Sequence, residues 1–187
     1  MASPQDDQAA IAAFQLMKQG DAVGAERAFK KILKSRPRHI EANFNLAILY
    51  VQQAQFGRAL KHLNAVVAQN DQIPQAHHLM GDCFRGQRKP KEAAKAYQRA
   101  VSLNPQSFEC WFNLGLMQRE TKEYESAVAA FQKTIELAPG FKKAFDQMGL
   151  ALIDAGNYPD GLAAIVKGSG FIEFENQGTA PYRLVMS

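Results

Sequence analysis

One 34-residue frame runs through this chain five times without an insertion or a deletion, opening at Asp6, Ile40, Pro74, Phe108 and Lys142. The eighth position of the frame is always small: Ala13, Ala47, Gly81, Gly115 and Gly149. So is the twentieth: Ala25, Ala59, Ala93, Ala127 and Gly161. The twenty-fourth is always large and apolar, reading Phe29, Leu63, Tyr97, Phe131 and Ile165. Such in-phase repetition constrains the fold more than any single motif, because each copy must adopt the same local structure and pack on its neighbours.

Each copy carries two stretches of helical apolar spacing, parted by a turn such as KQGD at residues 18–21 or DAGN at 154–157. Small residues at positions eight and twenty let the two helices approach closely, and the bulky twenty-fourth fills the gap that remains. Pro37, Pro105 and Pro139, at position thirty-two, stop the second helix, since proline lacks an N–H and restricts its predecessor. One hairpin cannot bury its own apolar surface, so neighbours stack.

The run WFNLGLMQRE at residues 111–120 continues to Ala127, Phe131 and Pro139. In this form it resembles the tetratricopeptide repeat family, with Gln118 where the family has Tyr; Tyr50 and Phe84 supply that aromatic in the two preceding copies. The resemblance covers about residues 6–170 and implies an all-α, right-handed superhelical solenoid of antiparallel helix hairpins. Its five repeats fall at residues 6–39, 40–73, 74–107, 108–141 and 142–170, and Trp111, Leu114 and Gly115 are packing residues.

Function, on this reading, belongs to the first helix of each hairpin, which the resemblance places along a concave wall. Positions two, five, nine and twelve share one helix face. With the family's asparagine position they nominate a peptide-binding set. Phe14, Phe44, Asn45, Ile48 and Val51 form an apolar half, and His78, Asp82 and Arg85 a polar centre. Phe112, Asn113, Leu116, Arg119 and Lys143 form a mixed remainder. Such a wall suits an amphipathic or apolar protein segment, with Arg85 and Arg119 meeting acidic side chains. The carboxylate clamp of some family members would fall on His78, Asp82, Asn113, Lys143 and Gln147, where Asp82 repels a carboxylate and Gln147 lacks charge.

The function classes that remain are few. No Gly-rich phosphate loop, GxSxG elbow or HExxH motif is present, so the chain reads as a non-enzyme without a cofactor. His77, His78, Asp82 and Cys83 place only two metal donors on one face, and a groove-lining polar pair is the better reading. Cys83 and Cys110 read as small core residues in a reducing compartment. The formal net charge of +4 permits acidic partners, yet the basic stretches at residues 30–39 and 85–91 lack interleaved aromatics. They read as solvated helix ends and turns, with no nucleic acid expected. The polar, acidic start resembles no secretory signal, and no apolar run is long enough to insert in a membrane, which makes a cytoplasmic location the expectation.

Residues 171–187, FIEFENQGTAPYRLVMS, break the helical period. Phe171, Ile172 and Phe174 with Tyr182, Leu184 and Val185 are strand formers around a turn. This tail is expected to fold back over Leu162, Ile165 and Val166, or to begin a further domain. The functional expectation is a protein-interaction scaffold or adaptor. Its alternatives are a recruitment domain of a larger enzyme and a scaffold that self-associates through its uncapped C-terminal end.

Overall fold

A computed structural model describes residues 4–170, 173–175 and 183–185, with side chains from residue 8 to residue 170. The described helices follow the 34-residue frame. They are α1 (Pro4–Lys18), α2 (Ala22–Ser35), α3 (Ile40–Gln52), α4 (Phe56–Val67) and α5 (Pro74–Gly86). Then come α6 (Pro90–Leu103), α7 (Phe108–Glu120), α8 (Tyr124–Leu137), α9 (Lys142–Asp154) and α10 (Tyr158–Ser169). The chain divides into two compact units, Met1–Leu103 with α1 to α6 and Asn104–Ser187 with α7 to α10. It is an all-α helical repeat fold.

Five identical turns join the helices of each pair, and all have a left-handed residue at the fifteenth position of the frame. Gly20, Ala54, Arg88, Lys122 and Gly156 have φ of 84°, 55°, 58°, 66° and 88°. In each turn two N–H groups reach back to the last carbonyls of the preceding helix. At α1 these are Gly20 N–H to Met17 O (3.1 Å) and Asp21 N–H to Leu16 O (3.0 Å). At α7 they are Lys122 N–H to Arg119 O (3.0 Å) and Glu123 N–H to Gln118 O (2.8 Å). This is the Schellman arrangement, which satisfies carbonyls that a helix end leaves without partners. Three of the five positions are not glycine, so the repeated geometry outweighs a backbone preference of about 1–2 kcal/mol at each.

The small and large frame positions meet as the spacing requires. All five residues at position twenty-four are fully buried, and so are Ala13, Ala25, Ala47, Ala59, Ala93 and Ala127. The glycines show how little room is left. A Cβ on Gly81 would stand 2.5 Å from the Tyr97 ring, and one on Gly115 would stand 2.7 Å from the Phe131 ring. At Gly149 it would meet the Gly161 carbonyl oxygen at 2.6 Å, which is backbone and cannot turn aside. In the first unit one apolar cluster runs from Ala13 and Phe29 through Leu46 and Leu63 to Ala76 and Cys83. In the second, Ala127, Phe131 and Ala151 gather Phe112, Leu116, Val128 and Met148 around them.

The fifth helix pair ends at Gly170, whose φ of 87° caps α10. Beyond it β1 (Glu173–Glu175) pairs antiparallel with β2 (Arg183–Val185), Phe174 standing opposite Leu184. Phe171, Ile172 and Tyr182 lie outside the described residues, as does any cover that the tail's side chains give the last helices. Ile165 is already fully buried, whereas Val166 is 45% exposed. Among the described residues no helix is long and apolar enough to cross a membrane.

The two kinds of glycine give opposite outcomes on substitution. Gly149→Ala should lower stability by about 1–3 kcal/mol despite the better helix propensity of alanine, because the new methyl meets backbone. Gly57→Ala, where nothing lies within 4 Å, should be neutral or stabilising by up to about 1 kcal/mol. Urea unfolding midpoints decide this; stabilisation by both would contradict the packing described.

Candidate interaction cleft

Within the first unit an open cleft of about 1360 Å³ lies along α1, the turn after α2 and the start of α3. Ala10, Ile11 and Phe14 of α1 and Ile40 of α3 give it an apolar side. Arg36, Pro37, Arg38 and His39 of the turn, with Glu41, Asn45 and Gln69, give it a polar one. Ile11 is 59% exposed, although isoleucine is among the residues most often buried.

The turn holds the cleft open because it is tied from both sides. Pro37 prevents α2 from continuing, and Arg36 N–H closes that helix on Ile32 O at 2.8 Å. The His39 ring caps α3, its Nδ1 accepting from Ala42 N–H at 3.3 Å. The same nitrogen stands 3.1 Å from Glu41 Oε2, so it can serve the cap as acceptor or the carboxylate as donor, but not both. Asn43, buried on α3, donates through Nδ2 to Pro37 O (3.0 Å) and to His39 O (2.9 Å).

Because the Asn43 amide nitrogen is committed to those carbonyls, its oxygen must accept, and His62 Nδ1–H of α4 donates to it at 2.8 Å. The tautomer of His62 follows from this pairing. Burial holds its imidazole below the ordinary 6.5, and Lys61 and Lys30 push in the same direction. The ring stacks on Tyr50, whose hydroxyl donates to Glu26 Oε1 at 3.1 Å. Glu26 is held below the usual carboxylate range by its bond to Lys30 at 2.6 Å, and burial pushes the Tyr50 phenol up. A chain of polar contacts thus leads from α2 to the carbonyls of the cleft wall.

Two family models, each described as tetratricopeptide repeat, match residues 16–83 and 78–140. The chain belongs to the tetratricopeptide repeat family. A crystal structure of MamA is 27% identical, with a TM-score of 0.83 over 88% of this chain and 90% of that one. A MamA fragment from Desulfovibrio magneticus RS-1 is 29% identical, with a TM-score of 0.66 over 71% and 75% of the two chains. YrrB, described as a TPR protein with an unusual peptide-binding site, is 21% identical, with a TM-score of 0.80 over 84% and 81%. That last likeness shows the fold alone. No curated protein sequence matches the chain. Membership makes this tetratricopeptide chain a scaffold for protein–protein interaction.

The residues nominated from the frame are distributed unevenly around this site. Phe14 and Asn45 line the cleft, and Asn45 Nδ2 donates to Glu41 O at 2.9 Å, leaving the amide oxygen available as an acceptor. Phe44, Ile48 and Val51 are half-buried, with Phe44 and Val51 packed against the core. The polar centre is largely occupied by its own members. Asp82 accepts from Tyr97 Oη–H at 2.7 Å and from Arg85 at 3.2 Å, with His78 3.7 Å away. Among the described residues no three His, Cys, Asp or Glu side chains could hold a metal. Burial pushes the Cys83 thiol up to about 12.

In the second unit Arg119 is bound to Asp154 at 2.7 Å and to Gln147 at 3.3 Å. Phe112 packs edge-on to Phe141 and against Phe131, with ring centroids 4.9 Å and 5.7 Å apart. Leu116 joins the same cluster, Asn113 is half-buried and Lys143 is exposed. Residues 36–39 form the turn between α2 and α3, as read from the sequence, with Pro37 and Arg38 exposed. They also line the cleft, and His39 alone among them is buried. Apart from Pro37 at position thirty-two, the frame does not mark these residues as cleft-lining, because frame and charge do not reveal which way an inter-helix turn faces.

Stability should carry the signature of His62. A histidine held low in the folded state takes up its proton more readily once unfolded. Stability is therefore whole above the ordinary 6.5 and is lost progressively as pH falls below it, until the folded-state value is passed. Urea midpoints measured from about pH 7.5 down to about pH 5.5 should fall for wild type and fall less for His62→Gln. Equal slopes would remove His62 from the account.

Proposed function

We propose that the cleft of the first unit receives a segment of a partner protein, and that the chain acts as an adaptor without chemistry of its own. The observation that carries this reading is Ile11, more than half exposed beside half-buried Phe14 in a cleft whose far wall is pinned by Asn43. An aliphatic side chain of the partner would complete the burial of Ile11, Phe14 and Ile40, a contact of about 1.5–3 kcal/mol per side chain. Asn45 and Gln69 offer hydrogen bonds to the segment's backbone, and Arg38 offers a charge for an acidic neighbour. The ligand is thus an amphipathic segment with an apolar anchor and a nearby carboxylate. Family membership supports the reading, and YrrB's description as a peptide binder agrees with it.

A pre-formed wall favours tight binding, since a turn already held in place loses little freedom when the ligand arrives. Panning a random peptide library on the full chain, with fluorescence anisotropy of the enriched peptides, tests the proposal. Enriched sequences should pair an aliphatic residue with Asp or Glu, and Ile11→Glu should weaken them at least about tenfold while leaving helicity unchanged. Enrichment of peptides that bind Ile11→Glu equally well, or no enrichment, would reject the cleft as the site.

A further inference from the structure

Charge is divided unevenly along the sequence. Residues 1–103 carry fifteen Lys and Arg against eight Asp and Glu, whereas residues 104–187 carry seven against ten. In the first unit the second helix of each pair places a base at one fixed point of the frame. The twenty-second position is Arg27 on α2, Lys61 on α4 and Lys95 on α6, and all three are exposed. These helices bury Ala25, Phe29 and Ile32, then Ala59, Leu63 and Val66, then Ala93, Tyr97 and Ala100. At about 100° per residue, position twenty-two falls on the side of each helix opposite those residues. In the second unit the same position is Ala129 on α8 and Ala163 on α10.

None of Arg27, Lys61 and Lys95 has a carboxylate partner among the described residues. Their neighbours show what cations on these helices accept: Lys30 holds Glu26 at 2.6 Å and Arg99 holds Asp71 at 2.7 Å. The Lys61 charge also reaches inward, adding to the burial that disfavours protonation of His62. We propose that this outer face of the first unit is a second docking surface, distinct from the cleft, for an acidic protein segment whose carboxylates meet Arg27, Lys61 and Lys95.

Other polyanions fit less well. Single-strand binders stack bases on aromatic side chains, and the exposed large apolar residues described in this unit are Ile11 and Val23. Membrane-directed basic clusters are contiguous runs, whereas Arg27, Lys61 and Lys95 stand on separate helices, 34 residues apart. Carboxylates carried along a protein segment match separated single charges.

The test is the affinity of the full chain for fluorescein-labelled poly-glutamate, measured by anisotropy at several salt concentrations. Wild type should bind, more weakly as salt rises. Arg27→Gln/Lys61→Gln/Lys95→Gln should lose about tenfold, while Lys122→Gln/Lys142→Gln/Lys167→Gln, which removes equal charge from the second unit, should lose less than about twofold. All six side chains are exposed, and circular dichroism verifies that helicity is kept. Equal losses in the two variants, or no binding by wild type, would overturn the proposal. So would tighter binding to oligo-dT or phosphatidylserine vesicles that the outer-face variant abolishes. A concentration-dependent rise in mass that only this variant abolishes would make a second copy the occupant and overturn it as well.

Discussion

The contact between a small residue on one helix and a bulky residue on its partner is what the rest of this molecule depends on. Where Gly81 faces Tyr97, Gly115 faces Phe131 and Gly149 faces Ile165, no room for a methyl remains. The separation of the two helices is therefore fixed by covalent size, with little tolerance. Once that separation is fixed, the turn between the helices has one geometry available. This explains how Ala54, Arg88 and Lys122 are driven into a left-handed conformation that glycine would adopt more readily. Packing sets the turn, and the turn does not set the packing.

The same constraint acts at a distance in the cleft. Close helix pairs position α3 and α4 so that Asn43 and His62 meet inside, and Asn43 then holds the carbonyls of Pro37 and His39. Those carbonyls belong to the turn that forms one wall of the site, so a core interaction decides the shape of a surface. The polar chain through Tyr50 and Glu26 to Lys30 costs desolvation at each buried step, and it is tolerated because each group has its partner. In the second unit Arg119 is likewise paired, with Asp154.

Much of the fold was legible in the sequence because its main determinant is a matter of side-chain size, and size in a fixed register is visible without coordinates. Ala, Gly and the large residues at positions eight, twenty and twenty-four carried the helix pairs and the family. The strand pairing of residues 173–175 with 183–185 was legible from composition and the intervening turn. The site was legible only in part. Of the nominated residues Phe14 and Asn45 line the cleft, while the ion pairs of Arg85 with Asp82 and of Arg119 with Asp154 can be recognised only in three dimensions. That residues 36–39 line a cleft was not legible, because the direction of that turn depends on the bonds of Asn43 to the Pro37 and His39 carbonyls, which are seen only in three dimensions.

The central claim is that this repeat scaffold meets its partner through the cleft between α1 and the turn at residues 36–39. The most direct measurement is site-specific photo-cross-linking in the producing cell, with benzoylphenylalanine replacing Ile11 and, as a control, exposed Gln132 on α8. The account predicts adducts from position 11 to a defined segment of one or a few proteins, bearing an apolar residue near an acidic one, and none of these from position 132. Adducts equally frequent from both positions, or from position 132 alone, would contradict it.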